Sequence, residues 1–367
     1  MQLIQKLLKD LLFLSRSPWK VCILLLIVIV YGIVWIGILS QNHLPLKRNI
    51  LVGQHLVGRI SPSIDHDVPI VSDWGDDSQF FWAFSLDPFL NNISIKESID
   101  SPSYRSQRIL LPFLTWCIIR DPSHVLYGLW FWSIIGYIIG VLGVYKLCIH
   151  FKINSSLPVI LFLFNPGVIN SILHPMSDTL SVGLFLIALS FWVRDKKWIA
   201  ATLFALACLT REYYAIYIFF ISLFSIRPFK SINFYKILPL ALSGIPMLIW
   251  QCVIRWRLGV WSFTQSHRNF DWPCFGTIKA CLEHHKISND IVAVSLLLIS
   301  MIMIWMGRLN SKYFPWYLTT MIAMLMIISG PAIMESSSSS IRISIPLIVF
   351  ASFVLLVDHR EHQSTIA

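Results

Sequence analysis

The sequence predicts an all-α, polytopic membrane protein, and three observations carry that prediction. Apolar residues make up 56% of the 367 residues and charged residues only 13%, with a mean hydropathy of +0.68. A soluble globular domain carries roughly 25% charge. The apolar residues also fall in long runs, such as 21–39 and 291–306, and not in strand-like alternation. Backbone inside a bilayer must satisfy its own hydrogen bonds, so such runs read as helices and a membrane barrel is disfavoured. Finally, Lys and Arg concentrate in alternate connecting segments, as the positive-inside rule requires. An ordinary soluble enzyme and a disordered chain are both excluded.

The elements follow in order. Residues 1–20 place Leu3, Ile4, Leu7, Leu8, Leu11 and Leu12 at helical spacing with Lys6 and Lys9 between them. This predicts a basic interfacial helix on the cytoplasmic leaflet. A transmembrane domain is predicted over 21–357, followed by a cytoplasmic tail over 358–367. Its first span, 21–39, is too long for a signal-peptide core and lacks a small-residue cleavage site. Further apolar runs lie near 124–147, 158–173, 177–193, 198–210, 213–226, 237–253, 289–307, 315–329 and 341–357. About ten spans result, with both termini cytoplasmic. Several are shorter than the roughly 20 residues of a full crossing. The runs 158–173/177–193 and 198–210/213–226 could therefore be broken helices. The apolar stretch 109–119 reads as a half-buried helix leading into the second span. Two long outer loops remain, a large first one over 41–108 and a second over 254–288. The serine run 336–340 reads as a short flexible outer loop.

The net charge of +10 falls on the predicted inner segments, including the short loops 194–197 and 227–236. It reads as orientation and contact with membrane lipids, not as nucleic-acid binding. Seven cysteines are scattered without C-x-x-C or zinc spacing. Cys274 and Cys281 could pair in an oxidising compartment or stay free thiols.

The polar chemistry is densest in the first outer loop. Asp73, Asp76 and Asp77 lie within five residues, just before the aromatics Phe80, Phe81 and Trp82. Like charges this close raise one another's pKa, and a raised carboxylate suits a general base. Asp87 follows, then Arg105 and Arg108. Three apart on a helix, these two would share one face at the membrane surface and could clamp a phosphate. The plain alternative is a solvated acidic loop with two snorkelling arginines. Further polar sets fall at predicted outer helix ends: Asn165 with His174, Ser177 and Asp178; Arg211 with Glu212; and Glu335 with Arg342. Charges among apolar helices are costly unless paired or hydrated, which makes them functional candidates. The plain alternatives are an Arg211–Glu212 ion pair and an N-cap formed by Asp178 with Ser177. All of these sets fall on one predicted side of the membrane.

In order and topology, these segments resemble the GT-C superfamily of integral-membrane glycosyltransferases, nearest to the bacterial and PIG-V-like mannosyltransferase relatives. The matching residues are Asp77-Ser78-Gln79-Phe80-Phe81-Trp82, then Phe84-Ser85-Leu86-Asp87-Pro88, then Tyr104-Arg105-Ser106-Gln107-Arg108-Ile109-Leu110-Leu111-Pro112. Asn165-Pro166, Ser177-Asp178, Leu209-Thr210-Arg211-Glu212, Glu335 and Arg342 continue the likeness, which runs over about residues 20–350. Ser78 stands where the family has glycine, and Asp76 where an aromatic is common.

The resemblance implies a GT-C-like helical bundle in the bacterial cytoplasmic (inner) membrane. It implies transfer, with inversion, of a sugar from a polyprenyl-phosphate donor to a cell-envelope glycan or lipid on the extracytoplasmic face. Asp77 would be the general base, with Asp76 as the alternative. Arg105, Arg108, Arg211 and Arg342 would hold the donor phosphate. Gln79, Asp87, His174, Asp178, Glu212 and Glu335 would contact the acceptor or support the base. No tightly bound cofactor or metal is implied, although the acidic cluster has ligand types suited to a divalent ion. Two other readings stand beside it: a carrier or flippase for a lipid-linked glycan, and a non-catalytic subunit of envelope assembly.

Overall fold

The computed structural model describes residues 18–41, 51–54, 70–71, 75–226, 234–265, 272–284, 287–310, 313–329, 334 and 337–356. Most of the predicted interfacial helix (residues 1–17), the tail 358–367, Asp73 and Glu335 lie outside the described residues.

The chain is an all-α, multi-pass membrane protein. Its helices, in chain order, are α1 (Pro18–Gln41), α2 (Ser78–Leu86), α3 (Ile93–Ser98), α4 (Pro102–Arg105), α5 (Leu110–Ile118), α6 (Val125–His150), α7 (Leu157–Leu163), α8 (Pro166–Leu173) and α9 (Asp178–Trp192). Then come α10 (Lys197–Thr210), α11 (Tyr214–Ser225), α12 (Phe234–Ser243), α13 (Ile245–Leu258), α14 (Phe275–His284), α15 (Ile287–Asn310), α16 (Phe314–Ile327), α17 (Ser337–Ile343) and α18 (Ile345–Leu356). Two short strands, β1 (Val52–Gly53) and β2 (Ile70–Val71), pair in parallel before α2. Among the described residues four stretches, Trp19–Ile36, Pro122–His150, Ile237–Leu258 and Ile287–Gly307, are long and apolar enough to cross a membrane.

Several predicted spans are broken, and proline explains where. The run 158–173 divides into α7 and α8 because Pro166 has no N–H to continue the ladder. Asn165, extended at ψ 116°, caps α8 instead, its Oδ1 accepting from Gly167 N at 2.9 Å and Val168 N at 3.3 Å. Pro246 opens α13 and Pro346 opens α18 in the same way. The predicted serine loop is corrected: Ser337–Ser340 are the first residues of α17. Tertiary packing overrides the weak helix preference of serine there. Ser340 is buried, and a Cβ on Gly167 of α8 would lie 2.7 Å from Ile341 O of α17.

A continuous apolar core runs through the bundle, with Trp316, Tyr214, Tyr217, Phe162, Phe185 and Phe204 among its fully buried side chains. α9 lies at its centre, buried along nearly its whole length between α6 and α10. Glycine permits that approach: a Cβ on Gly143 of α6 would lie 2.7 Å from Ile187 N, and one on Gly183 of α9 would collide with Gly136 O.

The bundle has two distinct ends. At one, Lys20 Nζ donates to Leu355 O at 2.8 Å, joining the start of α1 to the end of α18. Arg194 Nη2 there donates to Lys146 O at 3.0 Å, and the Phe151 and Phe353 rings lie 6.2 Å apart. The starts of α9, α11 and α18 and the end of α10 lie at the other end. There the polar residues collect.

Candidate functional site

The site begins at a turn that only glycine fits. Gly75 has φ +69°, and a Cβ on it would lie 2.5 Å from Leu51 O and 2.6 Å from Gly53 N. Asp76 N donates to Leu51 O at 3.0 Å, and Gly53 N donates to the buried Gln79 Oε1 at 2.9 Å. These bonds pin the entry to α2 and fix the two carboxylates before it. Asp77 occupies the N-cap position of α2 but makes no side-chain cap bond. Its carboxylate turns to Arg105 Nη1 at 2.6 Å and Arg342 Nη2 at 3.6 Å. Asp76 turns the other way. It accepts from Ser78 N at 2.9 Å and from the Ser78 hydroxyl, and its Oδ2 lies 3.2 Å from His174 Nδ1.

Further ion pairs extend this core into a chain of alternating charge, and the Arg108–Glu212 pair stands apart from it. Arg105 forks onto Asp100 at 3.1–3.2 Å and stacks over the Phe80 ring at 4.3 Å. Arg342 reaches Asp178 at 3.3 Å as well as Asp77, and it also contacts Met176 Sδ. Arg211 Nη2 donates to the same Asp178 oxygen at 2.6 Å. Arg108 forks onto Glu212 at 3.0 and 3.1 Å and donates to Tyr104 Oη at 2.6 Å. Four carboxylates thus face four guanidiniums, Asp77, Asp100, Asp178 and Glu212 against Arg105, Arg108, Arg211 and Arg342. The Asp178 side chain has no exposed surface, and those of Arg211, Arg108 and Arg342 keep 5–7%. Burial this deep is tolerable only because the charges are paired.

Several sequence-based expectations change. Arg105 and Arg108 do not share a helical face: α4 ends at Arg105, and Arg108 lies in the coil before α5, facing a different acid. Neither snorkels. Arg211 and Glu212 do not pair with each other, because Arg211 ends α10 in extended backbone (ψ 120°) and the two side chains diverge. Asp178 is not an N-cap partner of Ser177, since no side-chain cap bond forms and its carboxylate faces arginines. The predicted rise in pKa among the acids fails at Asp77. Partial burial pushes it up, but Arg105, Arg342, Arg108 and Arg211 outweigh that and hold it far below the usual carboxylate range. Glu212 is likewise held down against burial by Arg108.

Of the predicted residues, Asp76, Asp77, Arg105, Arg108, His174, Asp178, Arg211, Glu212 and Arg342 come together. Gln79 serves the turn beneath them. Asp87 does not join; it ends α2 and accepts from Asn92 N at 2.6 Å, holding its own loop. Glu335 lies outside the described residues. Sequence reasoning missed Asp100, whose only signal was an acid five residues before Arg105. Cys274 and Cys281 are free thiols. Among the described residues no group of three or more His, Cys, Asp or Glu side chains has a geometry suited to a metal ion. No protein-family model, curated protein or solved structure matches this chain.

Proposed function

We propose that this chain is an inverting membrane glycosyltransferase that uses a polyprenyl-phosphate sugar as donor. In this reading it has about ten spans in the bacterial cytoplasmic membrane, with both termini cytoplasmic and the charged cluster on the outer face. The observation that carries the proposal is convergence. Residues 76–77, 105–108, 174–178, 211–212 and 342 are distant in sequence, yet they meet at one end of the bundle, where a chain from Arg105 through Asp77, Arg342 and Asp178 to Arg211 is accompanied by the separate Arg108–Glu212 and His174–Asp76 pairs. These are the segments on which the GT-C resemblance rests. A scaffold has no need to gather eight ionised groups at one end of an apolar bundle at such cost.

The chemistry follows from the pairing. A lipid phosphate is a good leaving group and needs cations to take up its developing charge. Arg105 and Arg342 offer forks suited to phosphate oxygens. In the resting site they hold Asp77 instead, which makes Asp77 a weak base. A donor phosphate that draws these guanidiniums away returns basicity to Asp77, which then accepts the acceptor hydroxyl proton on the face opposite the leaving group. Among the described residues, buried Asp178 Oδ1 and Arg211 Nε lack hydrogen-bond partners. Each such orphan costs about 1–3 kcal/mol, and a ligand or ordered water would complete it. Asp76, held by His174 and Ser78, is the alternative base.

The test is a transfer assay on the full chain in lipid vesicles. Radiolabelled polyprenyl-phosphate mannose, glucose and arabinose are supplied in turn, with membrane extract as acceptor. Label entering a new product from one donor is the expected result. Binding of the donors without turnover would overturn the enzyme reading in favour of a carrier or a non-catalytic subunit.

A further inference from the structure

Beside the Arg108–Glu212 pair lies a cavity of about 310 Å³. That is the small end of the range for ligand pockets, roughly 300–1,000 Å³, and fits one small headgroup. Its polar lining is unlike the charged cluster. Gln107, Gln251 and Ser262 form a hydrogen-bonded trio: Gln251 Nε2 donates to Gln107 Oε1 at 3.5 Å, Ser262 Oγ donates to the same oxygen at 3.3 Å, and Ser262 also meets Gln251 Oε1. Tyr104, Tyr213 and Phe263 add aromatic faces. Among the described residues lining it, Glu212 is the one ionised side chain and is already paired with Arg108, so no cationic side chain there is offered to an anionic headgroup. Amides, a hydroxyl, a carboxylate and aromatic faces are what an uncharged, hydroxyl-rich sugar ring requires.

A second cavity shares Ala215 with the first as a wall residue. A groove of about 390 Å³ follows α11 from Ala215 to Ile226 and is walled by Ile218, Phe219, Leu240 and Gly244. At 1.5 Å per residue it is about 16 Å long, roughly half of a 30 Å hydrocarbon core. An apolar groove of that length on membrane helices suits one hydrocarbon chain from one leaflet.

We infer that the Gln107–Gln251–Ser262 cavity and the α11–α12 groove form one subsite for a glycolipid, with an uncharged sugar in the cavity and a single hydrocarbon chain in the groove. Its role as the acceptor subsite rests on the glycosyltransferase reading, because Glu212 lines the cavity and its partner Arg108 lies within electrostatic reach of Asp77. The binding itself does not.

The experiment is native mass spectrometry of the full chain ejected from nanodiscs. These are doped in turn with an alkyl β-glucoside, an alkyl phosphate and an alkanol of one chain length. The glucoside should be retained about tenfold more than the alkanol, and the phosphate no better than the alkanol. Gln251→Leu should lower glucoside retention about tenfold, the loss expected for one or two neutral hydrogen bonds, and leave the alkanol unchanged. Ser222→Trp, which fills the groove, should lower both. Equal retention of glucoside and alkanol, or preference for the phosphate, in the unaltered protein would overturn the inference, and this arm needs no variant to fold. Glucoside retention without sugar transfer from any donor would uphold the subsite and defeat its role in the enzyme.

Discussion

Asp178→Asn should unfold this protein far more readily while removing only one charge. The Asp178 side chain is fully buried and shares one oxygen between Arg211 at 2.6 Å and Arg342 at 3.3 Å. At an effective dielectric near 20, each contact is worth roughly 5–6 kcal/mol before desolvation is set against it. Desolvation offsets much of that gain, but the substitution leaves two guanidiniums buried with weakened compensation. Removing one partner of a buried pair costs about 3–5 kcal/mol. We therefore expect an unfolding equilibrium shifted on the order of a hundredfold or more, read by intrinsic fluorescence during denaturant titration in mixed micelles. Asp178→Leu combined with Arg211→Met should recover much of the loss, because a well-packed apolar pair replaces two costly charges. Asp195→Asn is the control, since Asp195 is 86% exposed in its pair with Lys197 and should have little effect. An Asp178→Asn protein as stable as this control would refute the argument that the cluster is held by buried charge.

Two more predictions concern stability. Glu212 is held below its ordinary pKa of 4.5 by Arg108, so its contribution is complete above that pH and lost as pH falls through the lowered folded value. The unfolding midpoint should hold steady on acidification to about pH 4.5 and then drop, while Glu212→Gln starts lower and drops less steeply. A steeper acid limb in the variant would show the sign to be wrong. Gly183→Ala should cost about 1–3 kcal/mol or more, because its Cβ meets Gly136 O where α6 and α9 cross. A thermal melt of this variant unchanged from the parent would mean the two helices are free to separate.

Much of this architecture was legible in the sequence because lipid imposes so strict a rule on backbone. Apolar runs of helical length could be little else, and the 109–119 stretch emerged as the partly buried helix α5. At one end of the bundle Lys20 meets the end of α18 and Arg194 meets Lys146 O, and at the other Asp77 and Asp178 gather with Arg105, Arg211 and Arg342. What the sequence hid was pairing. Spacing suggested local partners, Arg105 with Arg108 and Arg211 with Glu212. Apart from Asp100, which lies five residues from Arg105, the observed partners are 28 or more residues away, since tertiary packing decides them. The same blindness produced the wrong direction for Asp77. Neighbouring acids in the chain pushed the expectation upward, and arginines from three other segments reverse it. Helix breaks at Asn165-Pro166 were visible as motifs but not as geometry. The fold of α17 was hidden by a serine run whose helix depends on its contact with α8.

The central claim is that Asp77 performs the proton transfer once the donor draws its arginines away. The most direct measurement is the sugar-transfer rate of purified wild type, Asp77→Asn and Asp76→Asn, each in the same vesicles with saturating donor. Asparagine keeps the size and the contact with Arg105 but cannot take a proton. The account predicts that Asp77→Asn still binds donor and folds, yet loses transfer by at least about a hundredfold. It predicts that Asp76→Asn retains most of the rate. Full transfer by Asp77→Asn, with the rate lost in Asp76→Asn instead, would contradict it and assign the base to the carboxylate beside His174.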